Sequence, residues 1–512
     1  MWTCYNIYVL AAFGTIGGGL FGFDISSMSA WIGTETYMNY FNHPNDSLQG
    51  GITASMSAGS WLGSLLAGPL SDRYGRRLTL QFASIIWIIG SIITLSAHSV
   101  GHLIAGRIIN GLCVGITSSQ TPVYLAELAP KNIRGRIVGI QQWAIEWGIL
   151  IMFFISYGCS FIKGPAGFRL AWGLQAVPAV VLFGALWFFP ESPRWLAGKD
   201  RWEETLDVLA HLHAGGNKED AAVMAEYEEV REAQLISAAA ANESWLGLFG
   251  PKMWRRTTVG LFAQIWQQLL GGNVMMYYIV YVFQMAGLTG NVNLVSSSIQ
   301  YVIFLLTTVV TLAGIDRVGR RPLFVYGGIV MGALNFAVAG LMANYGHAVD
   351  GVDGNANVVW QVTGAPAKGV IACTYIFVGV YGLTWAPCTW IYVSEIFPLK
   401  YRAKGVGLAT SANWAFNFAL AYFVPPAFKN IQWRAYLIFG VFCFCGVVHS
   451  FFMFPETCGK TLEEVDALFE DGVPAWKSDK TVSRMDERVH EIEAKGEAGV
   501  VQTERVHEKS EA

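Results

Sequence analysis

The chain has 512 residues, of which 53% are hydrophobic and only 14% charged, with a formal net charge of −3. Soluble domains carry about a quarter of their residues as charges, so this composition excludes an ordinary soluble protein. The near-neutral balance offers no basic surface for nucleic acid, and the eight scattered cysteines show neither a disulfide framework nor zinc spacing.

Apolar blocks near the length of a bilayer-crossing helix recur along the chain. Twelve spans are predicted, at about 5–28, 50–70, 79–97, 102–123, 137–160 and 170–189, then 257–285, 295–315, 322–344, 369–394, 405–425 and 434–454. The first ends in Gly-Phe-Asp-Ile, not in a small-residue cleavage site, and so reads as a span rather than a removable signal. The expected fold class is an all-α membrane protein. Residues 1–189 form a first six-helix bundle, 190–256 a helical linker, 257–454 a second six-helix bundle and 455–512 a tail, disordered after about 477. An even number of spans puts both termini on one side. With the termini inside, twelve Lys and Arg fall on short inner loops and five on outer ones, which favours cytoplasmic termini. The Asn45 sequon then lies outside and the Asn242 sequon inside.

Within the first half, Asp24 ends the first span and Arg107 begins the fourth. A lone charge in hydrocarbon is expensive, so each is expected to need an opposite partner. Glu146, one turn after Gln142 in the fifth span, is another intramembrane carboxyl, and its spacing fits either a pathway or a packing role. In the linker, Ser192-Pro193 reads as an N-cap followed by proline at the first helical position. Trp202, Leu206, Leu209 and His213 share one stripe and predict a surface helix, with a second, acidic helix over Glu219 to Gln234.

The seventh span is the most polar. Gln264, Gln267 and Gln268 are spaced i, i+3, i+4 and share one helix face. Asn273 lies off that face, but Gly271-Gly272 permits a bend that brings it round. Hydrocarbon cannot satisfy amides, so these must face protein or water. Amides both donate and accept, so a row of them beside Tyr277 and Tyr278 suits a polyhydroxylated ligand. Helix-to-helix gluing is the alternative.

Three segments repeat in order. Asp72-Arg73-Tyr-Gly75-Arg76-Arg77 recurs as Asp316-Arg317-Val-Gly319-Arg320-Arg321. Glu127, Arg134 and Arg136 recur as Glu395, Arg402 and Lys404 at identical spacing, and Pro190-Glu191-Ser192 recurs as Pro455-Glu456-Thr457. Parallel repeats of this kind hold substrate between them near the bilayer midplane.

These motifs, with Pro-Glu-Ser-Pro-Arg-Trp-Leu at 190–196, resemble the sugar porter family of the major facilitator superfamily. The segments 22–30, 141–148 and 267–278 look most like fungal high-affinity glucose and hexose transporters. The resemblance implies substrate-binding roles for Gln142, Gln267, Gln268, Asn273 and Trp390, with Asn413 and Asn417 at matching polar positions of the eleventh span. Tyr277 and Tyr381 are further expected contacts. An indole would cover the apolar face of a pyranose, and its N–H would still donate. One position departs: the family commonly has a contacting asparagine where Phe304 stands here, which puts the exact sugar in question.

The resemblance also implies proton coupling through Asp24 and Arg107. At the inner ends a gate is expected, in which Glu127 and Glu395 accept hydrogen bonds from Arg76, Arg77, Arg320 and Arg321, with Asp72, Arg134, Asp316 and Arg402 extending the network. Charge-assisted pairs among these residues are expected to join the halves when the site opens outward. The resulting expectation is a glucose-like hexose transporter working by alternating access as a proton symporter. It would sit in the plasma membrane as a monomer, with a monosaccharide, a proton and membrane lipid as partners and with no cofactor, metal or enzymatic activity. Facilitated diffusion, carriage of another monosaccharide or polyol, and a non-transporting sugar sensor are the alternatives.

Overall fold

The computed structural model describes residues 3–29, 31, 35–44, 46–239, 245–352 and 358–480. The first span is Ile7–Gly14 continued by Ile16–Ser29, followed by Asp46–Tyr74, Arg76–Leu95, Val100–Leu128 and Arg134–Cys159, with the sixth in two pieces, Ala166–Leu174 and Ala176–Ala185. The seventh is broken into Trp254–Leu269, Gly272–Tyr277 and Ile279–Met285. Gly290–Val318 and Arg320–Tyr345 follow, then a tenth span in two pieces, Ala365–Leu383 and Trp385–Ile396, then Arg402–Asn430 and Arg434–Met453. Among the described residues, nine spans are long and apolar enough to cross a bilayer by length and composition; the second, seventh and eleventh are not among them. Those three hold Ser57, Ser60 and Ser64, the seventh-span glutamines, and Asn413 and Asn417, all buried. Polar residues at membrane depth are tolerated where protein or water surrounds them.

The two halves meet along two seams, the second span against the eleventh and the fifth against the eighth. Lipid gives no hydrophobic drive between helices, so close packing must hold them, and small residues permit it. A Cβ at Gly22 would lie 2.0 Å from the Ile145 carbonyl of the fifth span, and one at Gly115 would lie 2.2 Å from the Ser60 carbonyl. Gly18 and Gly19 likewise abut Gln141 and Ala144. We expect Gly22→Val to force the first and fifth spans apart, an overpacking cost of about 1–3 kcal/mol or more. Folded yield by fluorescence-detected size exclusion checks this, and a wild-type profile would contradict it.

The repeated glycines Gly75 and Gly319 sit at φ 91° and 90°, a region costly for side chains, and each starts a helix. The two repeated Pro-Glu motifs supply the caps. Glu191 accepts from the backbone N–H of Arg76 at 2.9 Å, and Glu456 accepts from that of Arg320 at 2.9 Å. A carboxylate at a helix N-terminus satisfies orphan donors and the helix dipole together.

In the linker, Ser192 caps Pro193–Ala197 by accepting from the Trp195 N–H, and helices Trp202–His213 and Ala221–Ala239 follow. Besides the short helices Glu35–Tyr40 and Trp245–Phe249, two larger elements were not anticipated from sequence. One is a hairpin pairing Gly346–Ala348 with Trp360–Val362. The other is a tail helix, Leu462–Glu470, closed by a Thr461–Glu464 capping box. A short 3-10 turn, Ala475–Lys480, packs against the twelfth span. Asn45, Asn242 and the rest of the tail lie outside the described residues.

Arg194 ties linker and tail together. It reaches Glu463 at 3.1 Å, Glu226 at 3.3 Å and the Glu127 carbonyl at 3.1 Å, while His213 pairs with Glu226 at 2.9 Å. Burial, and then the neighbouring Glu463 and Glu464, push the Glu229 carboxyl up to about 8. Burial pushes Asp466 up to about 7 against Arg256. Both carboxyls therefore keep a proton that the unfolded chain releases near its ordinary carboxylate value, so stability falls as pH rises from about 5 towards 8. Burial alone would lower His213, but the Glu226 carboxylate outweighs it. Its contribution is full at low pH and is lost as pH rises through its raised value. We expect the melting temperature of the purified protein to drop across that window and Glu229→Gln to flatten the drop. A slope unchanged in the variant would remove Glu229 as a cause.

Candidate functional site

The seventh-span face meets the eleventh span at Asn413. The Asn413 Nδ2 donates to Gln264 Oε1 and to Gln267 Oε1, each at 2.7 Å, and its Oδ1 accepts from Gln268 Nε2 at 2.8 Å. Gly271, at φ 90°, is left-handed and ends the first helical piece. The chain restarts at Gly272, so close under the Tyr381 ring that a Cβ would lie 2.3 Å from Cζ. This bend swings Asn273 round, and its Nδ2 donates to Gln268 Oε1 at 2.7 Å. Asn417 reaches the same oxygen at 3.3 Å and accepts from Ser57 of the second span at 2.8 Å. The cluster therefore touches the first half across one seam.

The tenth span closes it from the other side. Thr384, at φ −130° and ψ −90°, interrupts the helix, and the Ala386 carbonyl beside the break accepts from Gln267 Nε2 at 3.0 Å. Trp390 is buried, and its indole N–H donates 3.1 Å to Gln142 Oε1 of the fifth span. It therefore lies inside the bundle rather than at a membrane interface. Phe304 is also buried and stacks on Tyr381, with ring centroids 5.8 Å apart. An apolar ring fills the place of a polar contact and orients the phenol.

Carboxamides, two aromatic rings and two phenols thus converge from both halves onto one buried place. Most of the amides satisfy one another, so the cluster is preorganised, while Gln264 Nε2 is a buried donor with no partner among the described residues. A polyhydroxylated ligand could exchange these bonds for its own hydroxyls at little net cost. Trp414 belongs to this region but was not singled out from sequence. It is fully buried, lies edge-on to Phe21 at 4.7 Å, and donates to Ser118 Oγ at 3.2 Å, again across the halves. Its signal was present, since it lies one residue after Asn413.

Asp24 and Arg107 form a two-armed pair, Nη2 to Oδ2 at 3.0 Å and Nη1 to Oδ1 at 3.3 Å, both buried. Arg107 also donates to the Ile52 carbonyl at 2.9 Å and the Thr53 carbonyl at 3.3 Å in the second span. Tyr277 lies within electrostatic reach of both charges and of Asn417. Among the described residues no group of His, Cys, Asp and Glu could hold a metal ion.

At the arginine-rich end the expected partners need correction. Arg76 pairs with Glu127 at 2.9 Å and Arg320 with Glu395 at 2.9 Å, but each pair lies within one half. Arg77 does not reach Glu127: it donates to the Phe189 carbonyl at 3.1 Å, and Arg321 donates to the Phe451 carbonyl at 3.1 Å. Glu191 and Glu456 hold the backbone N–H groups of both arginines of each motif at the helix start, and consecutive helical positions point about 100° apart, so the second arginine turns away. The contacts that cross between halves are different. Asp316 accepts from the N–H groups of Gly135 and Arg136 at 2.9 and 2.8 Å. Arg134 joins the first half to the tail, donating to the Lys460 carbonyl at 3.0 Å. Arg402 lies 3.7 Å from Glu127, and Lys404 lies 3.7 Å from Asp72. The last two distances are charge contacts rather than hydrogen bonds. Lys404, Glu191, Glu456 and Arg194 carry parts of this network that the sequence reading did not assign.

The family described as "Sugar (and other) transporter" matches residues 10–469. The chain belongs to the sugar transporter family. It is 50% identical over 478 residues to a high-affinity glucose transporter of Kluyveromyces lactis, covering 93% of this chain and 87% of that one. Its fold is that of the major facilitator proton:xylose symporter XylE bound to 6-bromo-6-deoxy-D-glucose, with a TM-score of 0.80 and 27% identity over 91% of this chain and 99% of that one. Against an inward-open conformation of the xylose transporter XylE from E. coli the score falls to 0.65, at 27% identity over 90% of this chain and 99% of the other.

Proposed function

We propose that this transporter carries a glucose-like hexose across the plasma membrane by alternating access and couples it to protons. The observation that carries the reading is the convergence of Gln142, Gln267, Gln268, Asn273, Asn413, Asn417 and Trp390 from both halves, with Tyr277 and Tyr381 beside them. The name of the 50% identical Kluyveromyces relative supports a hexose, and the name of the XylE neighbour supports proton coupling. The arginine-rich end faces the cytoplasm, as the loop charges favour, and both termini lie there. Its crossing contacts at Asp316, Arg402 and Lys404, with Arg134 joined to the tail, form the closed inner gate. The Arg76–Glu127 and Arg320–Glu395 pairs hold each half rigid behind it. No neighbouring chain is needed to complete the site, so a monomer within lipid is the working unit.

Coupling follows from the buried pair. If closure on sugar moves Tyr277 and parts Asp24 from Arg107, a carboxylate is left in low-dielectric surroundings, where the neutral acid costs less. Asp24 then takes a proton, and reforming the pair expels it. Radiolabelled glucose uptake in a transporter-null cell, with and without a protonophore and with competing sugars, tests the reading. Saturable uptake that the protonophore abolishes is expected. Uptake that survives the protonophore unchanged would mean facilitated diffusion, and no uptake of any sugar would contradict transport.

A further inference from the structure

Glu146 is a buried carboxyl that the scheme above leaves without a task. It stands one turn after Gln142 on the fifth span and is 2% exposed. Its Oε1 accepts twice, from Gln142 Nε2 at 3.1 Å and from Thr308 Oγ1 of the eighth span at 2.8 Å. Its Oε2 is buried and has no hydrogen-bond partner among the described residues.

The surroundings offer no counter-charge. The first span presents its glycine face, Gly18, Gly19 and Gly22, to this stretch of the fifth. From the eighth span come Thr308 and, one turn away, Phe304. From the tenth come the Trp390 indole, bonded to Gln142, and the Tyr381 phenol, the titratable group facing Glu146. No arginine, lysine or histidine forms an ion pair with Glu146 among the described residues. Asp24 shows the contrast, since each of its oxygens accepts from Arg107. An ionised carboxylate in a dry interior needs a partner or full hydrogen bonding, and one bare oxygen supplies neither. A carboxylic acid fits the same atoms: its carbonyl oxygen takes the two donors, and its hydroxyl is the unpaired oxygen.

We propose that Glu146 holds a proton in this conformation and is a second protonation site of the transporter, one that senses sugar through Gln142. The chain Trp390–Gln142–Glu146–Thr308 begins at the sugar cluster and ends across the fifth–eighth seam. A sugar hydroxyl that claims the Gln142 amide withdraws one of the two donors on Oε1 and changes the hydrogen bonding of the acid. The proton comes from water and returns to water, with only the O–H bond made and broken. The inference rests on the sugar-site reading.

Infrared difference spectra of the purified full chain in lipid, with and without D-glucose, test it in H₂O and D₂O. A carboxylic-acid C=O band is expected that moves on deuteration and shifts when glucose binds. Glu146→Gln should lose this band and Asp24→Asn should keep it. Thr308→Val should move it to higher frequency, because one hydrogen bond to the carbonyl is gone. Glucose-induced spectra with no acid band, or with a band unchanged in Glu146→Gln, would overturn the proposal and leave the sugar site standing. Should Glu146→Gln not fold, Thr308→Val decides, and a band it does not move would overturn the proposal. No glucose-induced spectrum at all would overturn the sugar reading and this inference with it.

Discussion

Asp24→Asn is expected to abolish concentrative uptake while leaving exchange of labelled for unlabelled glucose. The substitution removes the only group of the buried pair that can gain and lose a proton, but it keeps the shape of the side chain. Arg107 is not stranded, because the Ile52 and Thr53 carbonyls still accept from it. The folding cost should therefore stay below the ~3–5 kcal/mol typical when a buried pair loses one partner outright. The functional cost is larger in kind. A proton gradient of one pH unit is worth about 1.4 kcal/mol and sustains roughly tenfold accumulation, and all of that is lost when no proton is bound. Measured in proteoliposomes with an imposed pH gradient, the internal-to-external glucose ratio should fall to one. A variant that still accumulates glucose would remove Asp24 from the coupling.

The second large effect is expected at Asn413. Its amide is the common partner of Gln264, Gln267 and Gln268. Asn413→Ala leaves three buried polar groups of the seventh span unmatched at once. Each unsatisfied group costs about 1–3 kcal/mol when it stays buried, though the freed glutamines can turn towards each other or towards water. A net loss of about 2–3 kcal/mol in sugar binding corresponds to roughly 30–150-fold in the half-saturating glucose concentration. Uptake kinetics normalised to surface protein would show it. A change below about threefold would mean that the amides serve packing and not the ligand.

Much of the architecture was legible because membrane helices are governed by local length and composition. The apolar blocks and the doubled Asp-Arg-x-Gly-Arg-Arg segments can each be read without knowing any contact. The seventh-span amides were legible for a similar reason, since i, i+3, i+4 spacing fixes a shared face and Gly271-Gly272 marks the bend. The partners of the arginines were not legible. Arg76 and Arg77 are neighbours in sequence, yet Glu191 clamps both backbones and only Arg76 turns to Glu127. The clamp, more than a hundred residues away in sequence, fixes where the helix starts and hence which of the two positions faces inward. The tail helix was missed although Thr461 and Glu464 spell a capping box, because its few apolar residues, Leu462, Val465 and Leu468, gain meaning only against the linker and the tenth span that bury them. Phe304 read as a lost polar contact, and the structure adds what sequence could not, a ring stacked on Tyr381.

The central claim is that one sugar site is built jointly by the two halves. A cryo-electron microscopy map of the full chain in lipid with D-glucose bound tests it most directly. The account predicts a single sugar held by Gln142 from the first half and by Gln267, Gln268, Asn413 and Trp390 from the second. Density touching only one half, or lying away from these side chains, would contradict it.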